Sequence, residues 1–301
     1  IFAYMKKLLV VLFVLIAHHA LSQNLRLAVY QYADNPRIQN LQPLADHLQQ
    51  QLGLPATVQS YPSVHAFIAA IQKGEVDIAF INTFGYLLLE ASQKRYPMEP
   101  KVALAVPNPD DNYKTAFVVR AQSPIQKLSD ATTFGKQTRL GLVATGSTSG
   151  NLVPRLALTK MGIANADQHF QSVTYTGTHA KAIQALLQNE VDMAAMGSSE
   201  YEKLDSSAKG QLRPIWISTE IPLGPVLFHK RLNKQLQQQI EQLFMTVHEQ
   251  APAVLESIKA AWSEAKQATR FDPITKDNYL PFLLQFGTMK SIQPILLQFV
   301  N

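Results

Sequence analysis

The same pattern occurs in Lys73-Gly74-Glu75-Val76-Asp77-Ile78-Ala79 and again in Gln188-Asn189-Glu190-Val191-Asp192-Met193-Ala194. In both stretches a helical segment ends at Gly or Asn, and a short apolar strand then begins with Val-Asp. A common connection from helix to strand could produce this pattern twice by chance. We interpret it instead as a sign of two similarly built α/β units.

The segments around each stretch alternate between strand and helix patterns. In the first half, strands are predicted at 25–30, 55–60 and 76–81, with helices at 38–52 and 64–72. In the second half, strands are predicted at 139–143, 173–175 and 191–196, with helices at 154–161 and 180–188. Such alternation predicts an α/β fold with mainly parallel sheets covered by helices. A chain of this length exceeds one ordinary core, so two domains are expected.

Two extended apolar runs, Ala116–Arg120 and Pro225–His229, are predicted to cross between the units. We therefore expect lobe 1 to comprise residues 23–116 plus 227–301, and lobe 2 to comprise residues 117–226. Hinge strands are expected near Phe117–Val119 and Pro225–Phe228. The segment 232–300 is mostly helical in pattern and is expected to pack on lobe 1.

The N-terminal segment indicates export. Met5-Lys6-Lys7, the apolar run 8–17 and the small-x-small site Ala20-Leu21-Ser22 predict a signal peptide over residues 1–22, counting the residues upstream of Met5. The run is too short to span a bilayer. The chain has no cysteine, which excludes a disulfide framework, a thiolate metal site and a lipid-anchored cysteine. We expect a periplasmic protein that is not lipid-anchored.

The charge balance bears on possible partners. The formal net charge of +5 falls to +3 when Lys6 and Lys7 are removed with the signal peptide. This small surplus comes without a clustered basic run, so nucleic acid is not an expected partner. An anionic small ligand is compatible with it.

The candidate site is Gly146-Ser147-Thr148-Ser149-Gly150-Asn151-Leu152-Val153-Pro154. Proline is tolerated in the first turn of a helix, so a helix is predicted to begin near Ser149 or Gly150. A single hydroxyl there would be an ordinary cap. Three hydroxyls between two glycines exceed what a cap requires, and the free N–H groups of a helix start favour a tetrahedral oxyanion.

The sequence of this stretch does not match either of two catalytic motifs. A nucleophile elbow needs serine at the centre of Gly-x-Ser-x-Gly, where this chain has Thr148. A P-loop needs lysine directly after its second glycine, and none follows Gly146 or Gly150. No clustered His/Asp metal set is evident either. A phosphoester hydrolase is therefore disfavoured, and neither a cofactor nor a metal is expected.

The chain resembles the periplasmic phosphonate/phosphite/phosphate-binding proteins that feed ABC importers. The resemblance is carried by Val76–Phe80, by Tyr113 before the run 117–125, by Ser147–Pro154, by Thr176-Gly177-Thr178-His179 and by Ile221–Pro225. It implies a two-lobed, type II Venus-flytrap fold with the ligand in the cleft. It also implies that Ser147, Thr148 and Ser149, joined by Tyr113 and His179, hold the phosphorus-bound oxygens. Taken alone, His179 could equally cap a helix or face solvent, and Tyr113 would be called structural.

The chain departs from this family at two places. Members that bind aminoalkyl phosphonates carry acids where this chain has Gly197-Ser198-Ser199 and Gly224, with Glu200 one step away. A buried ammonium without a carboxylate is costly. We therefore expect phosphate, phosphite or a small alkylphosphonate to bind at least about tenfold more tightly than aminoethylphosphonate. Asn82-Thr83-Phe84 replaces the usual Gly-Pro or Gly-Asn pair, and Thr83 is a further candidate donor.

The resemblance implies a solute receptor, expected to be a monomer, that docks on an ABC permease in the inner membrane. The alternative is a periplasmic ligand sensor that docks on a membrane histidine kinase. Lobe closure would serve both roles, so the sequence leaves both open.

Overall fold

The structure is a computed structural model that describes residues 24–92 and 94–299. The predicted signal peptide lies outside these residues. Within the described ranges, no helix combines the length and the apolar character that a membrane crossing needs.

The strands form two separate sheets. In chain order they are β1 Leu25–Tyr30, β2 Ala56–Tyr61, β3 Ile78–Phe80, β4 Met98–Ala105, β5 Thr115–Arg120, β6 Arg139–Leu142, β7 Ser172–Tyr175, β8 Met193–Gly197, β9 Leu212–Ile217, β10 Pro225–His229 and β11 Arg270–Pro273. The first sheet has the order β11-β4-β10-β3-β1-β2, and the second has the order β7-β6-β8-β5-β9. We call the parts of the chain around these sheets lobe 1 and lobe 2.

The helices pack against the sheets. In chain order they are α1 Arg37–Leu52, α2 Val64–Gln72, α3 Thr83–Ala91, α4 Ala131–Phe134, α5 Val153–Lys160, α6 Ala166–His169, α7 His179–Leu187, α8 Ser198–Glu202, α9 Ser206–Gln211, α10 Lys234–Gln250, α11 Pro252–Ala260, α12 Leu280–Leu284 and α13 Met289–Leu297. Leu27 and Val29 of β1 point into one apolar core, and Ala28 and Tyr30 point into another. Both faces of the first sheet are therefore buried, as expected for strands in an α/β fold.

The two lobes repeat one arrangement. In lobe 1, β1 pairs in parallel with β2 and β3. In lobe 2, β6 pairs in parallel with β7 and β8. In each sheet an antiparallel strand then joins this parallel core, β10 beside β3 and β5 beside β8. The predicted pair of similar α/β units is confirmed.

The repeated Val-Asp pattern has a structural reason. Gly74 and Asn189, which precede the two strands, have the left-handed φ values +72° and +59°. The carboxylate of Asp77 accepts hydrogen bonds from the backbone N–H (3.0 Å) and Nε (3.1 Å) of Arg26. The carboxylate of Asp192 accepts the equivalent two bonds from Arg139, at 2.9 Å each. Each aspartate thus fastens the third strand of its lobe to the first.

A second arginine completes each cluster. Arg231 Nε donates to Asp77 at 2.6 Å, and Arg120 donates to Asp192 at 2.7 Å. Burial raises the pKa of Asp192, but the hydrogen bonds from Arg139 and Arg120 outweigh it and hold the pKa well below its usual range.

The residues expected to form hinge strands lie within the two sheets. Phe117–Val119 lies inside β5, which pairs with both β8 and β9, and Pro225–Phe228 lies inside β10, which pairs with β3 and β4. The chain crosses between the sheets just before these strands, in residues 106–114 and 218–224. These crossings contain prolines, which lack the N–H that a sheet needs. Residues 115–116 therefore belong to lobe 2 and residues 225–226 to lobe 1.

The expected position of the C-terminal segment is only partly correct. Helices α10 and α11 pack in the core of lobe 1. Helix α13 instead contacts both α3 of lobe 1 and α5 of lobe 2, and Lys160 of α5 donates to the carbonyl of Gln285 at 2.8 Å. Apolar side chains such as Ile292 and Leu296 join a core shared by both lobes. The tail therefore bridges the lobes.

Candidate functional site

The hydroxyl-rich stretch begins a helix at the carboxyl end of β6. Ser147 caps it, and its Oγ accepts a hydrogen bond from the Gly150 N–H at 3.0 Å. Residues 148–152 form a wide turn in which the Leu152 N–H reaches back five residues to the Ser147 carbonyl, at 3.1 Å. Helix α5 then begins at Val153. The wide turn, a feature frequent at functional sites, covers the expected start near Ser149 or Gly150, and Pro154 lies in the first turn of α5 as expected.

A cavity lies between the lobes beside this turn. It offers about 50 Å³ to water-sized groups, which is room for roughly four of them. From lobe 1 it is lined by Tyr30, Tyr32, Arg37, Asn82, Ser263 and Glu264. From lobe 2 it is lined by Gly146, Ser147, Thr148, Ser149, His179, Gly197, Ser199 and Glu200, and from the first crossing by Tyr113. A larger open groove of about 980 Å³ on lobe 1 contains none of the predicted site residues.

Five of the six predicted site residues line the cavity, and Thr83 does not. Thr83 is fully buried, and its hydroxyl donates to the Pro222 carbonyl at 2.5 Å. Because a hydroxyl has one proton, Thr83 has none left for a ligand. Burial raises the pKa of Tyr113, whose side chain lines the cavity. Thr83 lies outside the cavity, and its hydroxyl proton is used by the Pro222 carbonyl.

The three hydroxyls of the turn have different environments. Ser147 Oγ accepts the cap hydrogen bond. Thr148 Oγ1 accepts a bond from the backbone N–H of Phe84 in α3, at 3.0 Å. Ser149 is buried, and no hydrogen bond to its Oγ is found from any residue in the described part of the chain. All three hydroxyls keep a proton that could be donated to a ligand, and Ser149 is the one whose oxygen carries no other role in the described part of the chain.

The lobes touch each other around the cavity. Besides the bond from Phe84 to Thr148, the Asn82 amide donates to the Gly146 carbonyl at 2.9 Å. The rings of Tyr32 and His179 face each other across the cavity with centroids 6.4 Å apart. A cavity walled by both lobes encloses a ligand when they close.

His179 presents a neutral N–H donor. It is the first residue of α7, and its Nδ1 lies 3.0 Å from the Gly197 backbone nitrogen. Because a backbone N–H can only donate, Nδ1 must be the unprotonated nitrogen, and the neutral ring then carries its proton on Nε2. Burial lowers the pKa of His179 to about 4, so the ring is neutral near pH 7.

The lowered pKa of His179 predicts a specific loss of stability in acid. Between pH values of about 6.5 and 4, His179 binds a proton in the unfolded chain but not in the folded chain. The free energy of unfolding therefore decreases as the pH falls through this range. We expect wild type to lose about 1–2 kcal/mol more than His179→Asn between pH about 7 and about 4.5, measured by urea unfolding. Equal losses in the two proteins would contradict the assignment.

Charged groups from distant parts of the chain complete the cavity. Arg37 begins α1, and Glu264 follows α11. Burial raises the pKa of Glu264, while the charge of Arg37 opposes this. The Tyr32 hydroxyl is buried without a hydrogen-bond partner in the described residues. No sequence pattern predicts that Arg37, Tyr32 or Glu264 lies at the site, because no motif occurs in the segments around them.

The expectation of a cavity without carboxylates is wrong. Glu200 and Glu264 both line it. Gly224 instead lines a separate apolar pocket, with Trp262 and Phe271. A Cβ at Gly224 would lie 2.0 Å from the Ile81 carbonyl oxygen, so no acid can occupy that position without displacing the backbone.

The site offers hydrogen-bond donors for an anion. Residues 24–92 and 94–299 contain no group of three or more His, Asp or Glu side chains suited to a metal ion. A cavity between two α/β lobes, rich in hydroxyls at a helix start, is the arrangement of two-lobed solute-binding proteins.

The sequence profile of the family described as "ABC transporter, phosphonate, periplasmic substrate-binding protein" matches residues 27–279. The chain belongs to this family, whose members bind substrates for transport and are not enzymes.

Individual relatives agree with this assignment. The chain is similar to the phosphonates-binding periplasmic protein of Escherichia coli (strain K12), with 26% identity over 238 residues that cover 77% of this chain and 69% of the relative. It shares its fold with a binding component of an ABC phosphonate transporter from Pseudomonas aeruginosa (TM-score 0.65, 19% identity, covering 92% and 95% of the two chains). It also shares it with a Prochlorococcus marinus (MIT 9301) protein solved with methylphosphonate (TM-score 0.66, 15% identity, covering 88% and 98%).

Proposed function

We propose that this protein is a periplasmic receptor that captures a compact phosphorus oxyanion and delivers it to an ABC permease. The candidate ligands are phosphate, phosphite and small alkylphosphonates, and we propose that the receptor acts as a monomer. The observation that carries the proposal is the convergence of Ser147, Ser149, Tyr113 and His179 on one cavity at a helix start. The names of the E. coli relative and of the methylphosphonate complex support a phosphonate head.

The chemistry of binding follows from these donors. Hydroxyls and the His179 Nε2–H donate to the oxygens of the head, and the free N–H groups at the start of the turn add the positive end of the helix dipole. Each hydrogen bond to a charged oxygen is worth roughly 1.5–3 kcal/mol. Because the donors are held by the turn and by Gly197, little reorganisation is needed when the ligand binds.

The size of the cavity, and not its charge, limits the substituent that the phosphorus atom of the ligand can carry. Room for roughly four water-sized groups suits a tetrahedral head with a small substituent. Glu264 and Glu200, which also pairs with Lys203, both line the cavity, so an ammonium group would have carboxylates nearby. The charge of aminoethylphosphonate is therefore not the obstacle that the sequence suggested. Its length is the obstacle.

A ligand series tests this proposal. We expect methylphosphonate to bind at least about tenfold more tightly than propylphosphonate, with aminoethylphosphonate between them, measured by titration calorimetry. Propylphosphonate has the length of aminoethylphosphonate without its charge, so it separates size from electrostatics. If propylphosphonate binds more tightly than aminoethylphosphonate, the carboxylates do not face the substituent. If no phosphorus oxyanion binds, the proposed function is wrong.

A further inference from the structure

Arg37 is a buried charge in the wall of the cavity. The residue is 4% exposed. Its Nε donates to the Ala261 carbonyl at 2.9 Å and its NH1 to the Tyr30 carbonyl at 3.2 Å. The guanidinium carbon lies 4.5 Å from the ring centroid of Tyr30 and 5.0 Å from that of Trp262. The side chain is therefore held rigidly at the cavity.

This guanidinium has no ion-pair partner. No aspartate or glutamate oxygen of the described chain lies within 4.0 Å of its nitrogens, although a fully buried arginine is almost always paired. Two carbonyls and the aromatic rings hold it in place without neutralising its charge. Of its five N–H donors the carbonyls take two, so NH2 remains free.

The other charges of the cavity leave Arg37 as its unpaired cation. Glu200 forms an ion pair with Lys203 at 2.8 Å. Glu264 faces the same cavity, but its carboxylate oxygens lie more than 4.0 Å from the Arg37 nitrogens, and burial raises the pKa of its carboxyl while the charge of Arg37 opposes this. His179 is neutral near pH 7. Among the described lining residues, Arg37 is therefore the group whose charge a bound anion would balance.

We propose that Arg37 is a specificity-determining residue that contacts the anionic head from lobe 1, opposite the hydroxyls of lobe 2, and selects dianions over monoanions of the same shape. This inference rests on the proposed function. The Coulomb attraction between a fixed guanidinium and a ligand grows in proportion to the ligand charge. The neutral donors of lobe 2 distinguish the two charges less strongly.

The test compares two isosteric ligands. Methylphosphonate is a dianion above its second ionisation, and methanesulfonate is a monoanion of the same shape. At such a pH, calorimetry on wild type should show at least about a tenfold preference for methylphosphonate. Arg37→Gln should lower this preference at least about tenfold, and its affinity for methanesulfonate should fall by a smaller factor than its affinity for methylphosphonate.

Two further variants separate charge from structure. Arg37→Lys keeps the charge but loses the planar stacking on Tyr30 and Trp262, so it should retain more of the preference than Arg37→Gln does. Asn35 donates to the Ala260 and Ala261 carbonyls, as Arg37 does to Ala261, but does not line the cavity. Asn35→Ala should leave both affinities unchanged, so it is the control for loss of a hydrogen bond to the Ala261 carbonyl.

The outcomes are distinct. An equal loss for both ligands in Arg37→Gln, or an unchanged preference, would overturn the inference and leave the proposed function standing. If Arg37→Gln does not fold, a wild-type preference below tenfold or a collapsed preference in Arg37→Lys would overturn it as well. Failure of wild type to bind any phosphorus oxyanion would remove the proposed function, and the inference with it.

Discussion

Ser149→Ala is expected to weaken methylphosphonate binding about ten- to a hundredfold, because it removes one hydrogen bond to a charged oxygen. Among the described residues its Oγ has no protein partner, so the stability of the ligand-free protein should change little. Titration calorimetry and thermal unfolding of the ligand-free protein measure the two effects separately.

Ser147→Ala removes a neighbouring hydroxyl that also has a structural role. Its Oγ caps the helix through the Gly150 N–H, so its loss should cost about 1 kcal/mol of stability. The double variant of Ser147 and Ser149 should bind at least about tenfold more weakly and still fold. Unchanged affinity in a well-folded Ser149→Ala protein would show that the turn does not hold the ligand.

Gly224→Ala is expected to destabilise the protein by roughly 3 kcal/mol or more, because its Cβ would overlap backbone. That atom would lie 2.0 Å from the Ile81 carbonyl oxygen and 2.6 Å from the Asn82 Cα. Both neighbours lie in the short connection between β3 and α3, in which Asn82 caps the helix and lines the cavity. Urea unfolding measures the loss.

Gly210→Ala provides the comparison. Gly210 lies in α9, and a Cβ there meets nothing within 4 Å. It should leave stability unchanged or raise it by up to about 1 kcal/mol. If the two variants unfold at the same urea concentration, the backbone of Ile81 and Asn82 can move to make room for a Cβ at position 224, and the predicted overlap is wrong. An acid engineered at Gly224 would likewise damage the fold and could not serve as a probe of ligand charge.

Local patterns made much of the fold predictable. The Val-Asp pattern at Asp77 and Asp192 predicts a whole connection from helix to strand. The left-handed residue, the aspartate and the strand that make up this connection are close together in the sequence. The hydroxyls of Ser147–Ser149 were recognisable for the same reason: a helix start gathers its donors within one turn.

Features that depend on distant contacts were not predictable. Arg37 and Glu264 are more than two hundred residues apart and meet only because α11 packs on α1. The apolar run at Pro225–Phe228 fits a crossing as well as a central strand, and only pairing distinguishes the two. Thr83 lies at a helix start, as Ser149 does, but its hydroxyl is taken by Pro222, which follows it by 139 positions.

The Asp192 cluster and His179 belong to the same lobe but take up protons at different pH values. The ionised cluster stabilises lobe 2 above the unfolded-state pKa of about 3.9 and is lost only as the pH falls through a much lower folded value. His179 takes up its proton in the folded protein near pH 4, where an Nδ1–H would oppose the Gly197 N–H. As the pH falls, His179 is therefore protonated before the ionised Asp192 cluster is lost.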